Sequence, residues 1–192
     1  MVERMDGGIT APAGFKAAGV ECGLKPTGRD LALVVSTPPA RAAGIFTTNL
    51  AVAAPVVVTR DHLKRSGGIA TAIVVNSGCA NACTGQQGLA AAHTMAADTA
   101  SLLGCPKEQV LVSSTGVIGA QLAADKLREG ITLAARELAG GGHAAAAEAI
   151  MTTDEIVLEH MPLIRFIVNR IAVRLPSHID LDDLQSTGVI GL

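Results

Sequence analysis

Thr71-Ala72-Ile73-Val74-Val75-Asn76-Ser77-Gly78 is a β-branched run closed by a turn signal, and it is apolar almost from end to end. A strand with one face in water alternates apolar and polar residues, so a run without alternation belongs to a strand covered on both faces, by helices or by a second sheet. Similar runs between turn residues predict strands at 31–36, 43–49, 54–60 and 109–115. Between them, Leu89, His93, Met95, Ala96, Leu102 and Leu103 recur at helical spacing. Gly104 followed by Pro106 is a stop signal, so the spacing predicts a helix over 86–104. Residues 121–139 and 143–152 predict two more helices, joined by the flexible Gly140-Gly141-Gly142 run.

Composition limits what such a chain can do. Its 192 residues amount to about 1.3 typical domains. With 49% hydrophobic and 17% charged residues, it has the material for a substantial core. A formal charge of −2, from 15 Lys+Arg against 17 Asp+Glu, excludes a strongly basic nucleic-acid binder and an acidic disordered tail. Three Phe and no Trp or Tyr leave little for stacking on single-stranded bases. No stretch approaches the roughly 18 apolar residues of a membrane span, and Met1-Val2-Glu3-Arg4-Met5-Asp6 lacks the apolar core of a signal peptide. The chain therefore reads as cytoplasmic, with Cys22, Cys79, Cys83 and Cys105 as free thiols. Cys79 and Cys83 form the one close pair, but no further metal ligands stand nearby at a suitable spacing.

Composition also changes along the chain. Of 33 alanines, 32 lie before residue 151, and the last lysine is Lys126. Residues 155–175 read as a long amphipathic helix with Val157, Leu158, Met161, Ile164, Ile167, Val168, Ile171 and Leu175 on one stripe and Pro162 as a kink or late start. A second helix starts at the acidic 180–183 run. Two parts are expected, 1–154 and 155–192.

The first part carries six segments in order: Gly8-Ile9-Thr10-Ala11-Pro12-Ala13-Gly14-Phe15-Lys16-Ala17-Ala18-Gly19, Ala43-Gly44-Ile45-Phe46-Thr47-Thr48-Asn49, Val74-Val75-Asn76-Ser77-Gly78, Ala80-Asn81-Ala82-Cys83-Thr84-Gly85, Ser113-Ser114-Thr115-Gly116-Val117-Ile118-Gly119 and Ala149-Ile150-Met151-Thr152-Thr153-Asp154. Each alone is a common turn. Together they resemble the bifunctional ornithine acetyltransferase/glutamate N-acetyltransferase family of arginine biosynthesis, over residues 7–154.

That resemblance implies an α+β fold of layered β sheets flanked by helices. It also implies an N-acetyltransferase that works through an acetyl-enzyme on an N-terminal threonine freed by self-cleavage at an Ala-Thr bond. Acetyl would pass from N-acetylornithine to glutamate with no cofactor, acetyl-CoA serving some members as a second acetyl donor. By motif match, the Thr115 hydroxyl and the Gly116 amide form the oxyanion hole, and one of Thr152 and Thr153 touches the amino-acid substrate. On local grounds alone, Ser113-Ser114-Thr115-Gly116 is a strand-to-helix turn with capping hydroxyls, and Thr152 and Thr153 are helix-end residues bonded to nearby carbonyls.

Two departures from the family pattern stand out. Cys79 occupies a position where members usually carry Asn, which alters local hydrogen bonding unless the thiol serves as a small buried hydrophobe. The Lys-Gly-Ser-Gly stretch leading to the cleaved Ala-Thr bond is missing after Asp154, and Ala70-Thr71 is the only Ala-Thr pair in the 192 residues. The chain alone is thus expected to be inactive, and a nucleophile-bearing β chain is the partner the family implies.

Residues 155–192, with Leu158-Glu159-His160-Met161-Pro162-Leu163-Ile164-Arg165-Phe166-Ile167-Val168 and Arg174-Leu175-Pro176-Ser177-His178-Ile179-Asp180-Leu181-Asp182-Asp183-Leu184, resemble the start of region two of a flagellar or sporulation-type bacterial sigma factor. That resemblance implies a short all-α hairpin. Either a genuine fusion or a misassembled reading frame would produce the join. The alternative function is a truncated transcription-initiation protein with RNA polymerase as partner; a third is a non-catalytic chain that pairs with a separate nucleophile subunit.

Overall fold

In the computed structural model, which describes residues 8–151, four strands form one sheet in the order β1-β2-β3-β4. They are β1 (Phe15–Val20), β2 (Leu31–Arg41), β3 (Ile69–Asn76) and β4 (Val110–Ser114), with helices α1 (Ala54–Arg65), α2 (Gly85–Leu103), α3 (Ala124–Glu137) and α4 (His143–Ala149) around them. The first three strands pair antiparallel, whereas β4 lies parallel to β3. A parallel neighbour needs a crossover, and α2 is that crossover. It ends where the sequence said it would, with Gly104 at φ +65°.

Coverage explains the apolar runs. The first six residues of β2 are all buried, because helices sit on both faces of it. On one face Leu31, Leu33, Val74, Val110 and Val112 pack with Met95 and Ala96 of α2 and Leu127 and Ile131 of α3. On the other, Ala17, Ala32 and Val34 pack with Ala146 and Ala149 of α4. The fit of α4 is close: a methyl added to Gly19 of β1 would enter the Ala145 carbonyl of α4. The Pro38-Pro39 pair offers no backbone donors, and the β2–β3 register slips between Val35 and Ala40.

Three expectations are corrected. Residues 54–60 belong to helix α1, not a strand. Pro55 sits in its first turn, Pro55, Val58 and His62 are buried at spacings of three and four, and Lys64 and Arg65 close it at the end that favours cations. This helix also covers the free edge of β4. Thr59 Oγ1 donates to the Val112 carbonyl at 2.7 Å and accepts from its N–H at 2.9 Å, and His62 Nδ1 donates to the Val110 carbonyl at 2.7 Å.

Residues 43–49 form an irregular loop instead of a strand. Thr47 Oγ1 accepts the Asn49 N–H and Asn49 Oδ1 accepts the Ala51 N–H, so side chains take backbone donors that a ladder would need. Finally, the described residues hold one sheet with helices on both faces, not layered β sheets. The expected all-α hairpin of 155–192 lies outside the described residues.

Candidate active site

Two loops leave the adjacent C-terminal ends of the parallel strands β3 and β4, and they stay zipped together. Thr115 N–H donates to the Asn76 carbonyl at 2.9 Å, Val117 N–H to Gly78 at 3.3 Å, Ala80 N–H to Val117 at 2.9 Å and Gly119 N–H to Ala82 at 2.9 Å. Asn76, fully buried, clamps both loops: its Nδ2 donates to the Cys79 carbonyl at 2.9 Å and its Oδ1 accepts the Ser114 hydroxyl at 2.6 Å.

Gly116 makes this approach possible. Its φ is +125°, and an added methyl would enter the Gly78 backbone and stand 2.5 Å from the Cys79 nitrogen. Gly78, at φ +91°, in turn lies against the Leu24 carbonyl and the Lys25 side chain, each 2.8 Å from where its own Cβ would be.

With the backbone so committed, two donors are left over. Thr115 is half-buried and Gly116 is buried. Among the described residues no hydrogen bond ties up the Thr115 hydroxyl or the Gly116 N–H, and the hydroxyl is open to solvent, the one buried side-chain polar atom without a partner being His143 Nδ1. An O–H and an N–H from successive residues on a locked turn can meet one anionic oxygen together. A groove of about 300 Å3 runs along β4 as far as Ser114, lined by Ser113, Ser114, Thr59, Phe46 and Leu63 among others, and Thr115 and Gly116 are not in its wall.

The Cys79 thiol is buried. Cys79 donates to the Ala120 carbonyl at 3.2 Å, helping to hold the loop after Gly116. Burial pushes the Cys79 and Cys105 thiols up. It pushes Cys22 up to about 12 with help from the Asp30 carboxylate, whereas Cys83 is exposed. Thiolate being the reactive form, a maleimide at pH 8 should modify Cys83 well before the other three; peptide mapping that finds Cys22 labelled as fast as Cys83 would contradict this. Because Cys22 keeps its proton in the folded chain past the ordinary value of 9.0, its contribution to stability is complete below pH 9 and declines as pH rises from there towards about 12.

Thr152 and Thr153 lie outside the described residues, but the segment leading to them is tied down. Ser77 Oγ donates to the Ala149 carbonyl at 2.7 Å and Lys25 Nζ to the Met151 carbonyl at 2.9 Å. Ser77 entered the sequence reading only as part of a turn motif, and Lys25 not at all. Lys25 sits in a β1–β2 turn organised by Asp30, a fully buried carboxylate that accepts N–H bonds from Cys22, Leu24 and Lys25 at 2.6–3.0 Å. An Asp five residues from a Lys carries no motif, so no sequence signal marks this arrangement.

The described residues thus form a mixed α/β domain with Thr115 and Gly116 on the loop that leaves the parallel strand β4. The chain belongs to the ArgJ family, whose profile matches residues 16–173. The arginine biosynthesis bifunctional protein ArgJ of Thermosynechococcus vestitus is 50% identical over 153 residues, covering 79% of this chain and 36% of that protein. The protein of the same name from Bacillus subtilis is 45% identical over 156 residues, covering 81% and 38%. This chain thus spans rather more than a third of the length of these curated relatives.

Among solved structures, the ArgJ of Bacillus halodurans superposes with a TM-score of 0.71 at 41% identity, over 77% of this chain and 76% of the other. The ornithine acetyltransferase of Mycobacterium tuberculosis, complexed with ornithine, gives 0.72 at 45% identity over 76% and 79%. The family match crosses the composition break at residue 154, and none of these matches supports the sigma-factor resemblance of 155–192. No helix among the described residues is long and apolar enough to cross a membrane.

Proposed function

We propose that this chain supplies the oxyanion half of an acetyl-transfer site, taking acetyl from N-acetylornithine to glutamate together with a separate chain that carries the threonine nucleophile. The observation that carries this reading is the pair of unpartnered donors, Thr115 O–H and Gly116 N–H, at the glycine-locked end of β4. In acyl transfer, negative charge develops on the carbonyl oxygen as the nucleophile adds. Donors already in place stabilise that charge without reorganisation, and more strongly in the transition state than in the ground state. Substrate contact by Thr152 or Thr153 belongs to the same reading, supported by the anchoring of Ala149 and Met151 beside the loops. Acetyl-CoA would serve, where used, as a donor substrate.

The one Ala-Thr pair among these 192 residues is poorly placed for cleavage. Ala70–Thr71 lies within β3, where Ala70 pairs with Ala40 and Thr71 Oγ1 donates to Gln109 Oε1 at 2.7 Å, so that hydroxyl is engaged elsewhere.

The test is to assay transfer of acetyl from N-acetylornithine to glutamate by the chain alone and after mixing with the nucleophile-bearing chain of an ArgJ relative, following intact mass in parallel. Activity only in the mixture, with the 192-residue chain uncut, is the expected result. A chain that cleaves itself at Ala70–Thr71, or a mixture as silent as its parts, would overturn the reading.

A further inference from the structure

Asn76 closes β3 with a fully buried side-chain amide, a group that is costly to bury unless its hydrogen bonds are made. The Cys79 carbonyl can only accept, so Nδ2 faces it at 2.9 Å and Oδ1 is left for the Ser114 hydroxyl at 2.6 Å. These two contacts bracket the donor pair along the chain. Ser114 directly precedes Thr115. The Cys79 carbonyl lies in one planar unit with the Ala80 N–H, which donates at 2.9 Å to the carbonyl of Val117, the residue directly after Gly116. A third tie is the Asn76 carbonyl itself, which takes the Thr115 N–H at 2.9 Å.

We propose that Asn76 is a positioning residue: its one side chain fixes both ends of the Thr115–Gly116 span and thereby sets where the two free donors point. The proposal rests on the acetyl-transfer reading above, which supplies the reason that their aim matters. Among the described residues the peptide planes before and after this span are hydrogen-bonded, through Thr115 N–H to Asn76 and Val117 N–H to Gly78, whereas no hydrogen bond holds the Thr115–Gly116 plane between them. A glycine at φ +125° gives that plane rotational freedom. Its orientation is therefore inherited from its neighbours. Removing the Asn76 amide would loosen both neighbours together, because the Ser114 hydroxyl and the Cys79 carbonyl lose their partner at once and a half-satisfied buried network is costly. Donors that drift from the oxygen they serve lose rate steeply, a misplacement of about 1 Å costing as much as 10²-fold.

The experiment uses the full chain mixed with the nucleophile-bearing chain of an ArgJ relative, and compares wild type, Asn76→Leu, Thr115→Val and the double variant. Asn76→Leu keeps the branched shape and removes both arms of the clamp. Two quantities are read: kcat and KM for acetyl transfer from N-acetylornithine, and amide hydrogen exchange over 115–119, with 92–99 of helix α2 as internal reference. Asn76→Leu should lower kcat about 10²-fold with little change in KM. Thr115→Val, worth about 10²–10³-fold alone, should cost less than about tenfold in the Asn76→Leu background, since a donor no longer aimed has little left to lose. Exchange at 115–119 should speed about tenfold with 92–99 unchanged, the size set by one net hydrogen bond. Penalties that simply multiply in the double variant overturn the proposal. So do unchanged exchange at 115–119 and exchange that rises equally at 92–99, which would make Asn76 a support of the whole fold. A Thr115→Val variant as active as wild type, or a silent wild-type mixture, sinks the acetyl-transfer reading instead, and exchange at 115–119 then still decides whether Asn76 holds the span. Should Asn76→Leu fail to fold, Ser114→Ala, which removes one arm of the clamp, takes its place in the same comparison.

Discussion

Thr115→Val, in the chain assembled with its nucleophile-bearing partner, should lower acetyl transfer by about 10²–10³-fold while leaving the melting temperature almost unchanged. Valine keeps the β-branched shape and the size of threonine and removes one O–H. Since that hydroxyl has no partner among the described residues, the folded chain loses no internal hydrogen bond. The loss falls on the transition state alone, where one donor aimed at a developing oxyanion is worth roughly 2.7–4 kcal/mol. The kinetic signature follows from that origin, with kcat falling and KM for N-acetylornithine moving little. A Thr115→Val enzyme with normal turnover would move the oxyanion role elsewhere. One that turned over slowly because it melted early would return Thr115 to the role of a turn residue.

Gly116→Ala should produce the opposite pattern, a loss of stability of about 3–5 kcal/mol that no kinetic assay is needed to see. Two costs combine: a φ of +125° that an alanine tolerates poorly, and a methyl forced into the Gly78–Cys79 backbone. Backbone on both sides leaves no flexible side chain to give way. Against a total stability of roughly 5–15 kcal/mol for a domain, that removes a third or more. Gly119→Ala is the control. Gly119 also has a positive φ, +84°, but nothing stands within 4 Å of its would-be Cβ, so only the conformational term of about 1 kcal/mol applies. Urea denaturation of the two variants separates steric overlap from backbone strain. If Gly116→Ala loses no more than Gly119→Ala, the stacking of the two loops is looser than the geometry implies.

What could be read from the sequence was set by how local each signal is. Strands β2, β3 and β4 and helices α2 and α3 carry their periods and stops within their own residues, and they form close to where those signals place them. Helix α1 was misread because Val56-Val57-Val58 looks like a strand; the Pro55, Val58 and His62 spacing that decides the matter gains meaning only with β4 beside it. Strand β1 was not foreseen as a strand at all. Phe15-Lys16-Ala17-Ala18-Gly19-Val20 is poor in β-formers, and it is small residues that let α4 settle on it.

The site divides in the same way. Thr115 and Gly116 entered through a family resemblance, since a lone Thr-Gly turn says little. Lys25 escaped notice and Ser77 was read only as part of a turn motif, because their partners are carbonyls of distant residues, and carbonyls have no sequence signature.

Those distant carbonyls also set an order of events. Lys25 and Met151 are 126 residues apart and Ser77 and Ala149 are 72 apart, whereas every strand among the described residues is complete by Ser114. On a chain made from its N-terminus, the sheet can assemble while the segment after α4 has yet to be synthesised, because pairings closer in the chain close their loops at lower entropic cost. Lys25 must therefore spend the early life of the protein as a charged side chain awaiting its acceptor, which exists only once the ribosome has moved past residue 151.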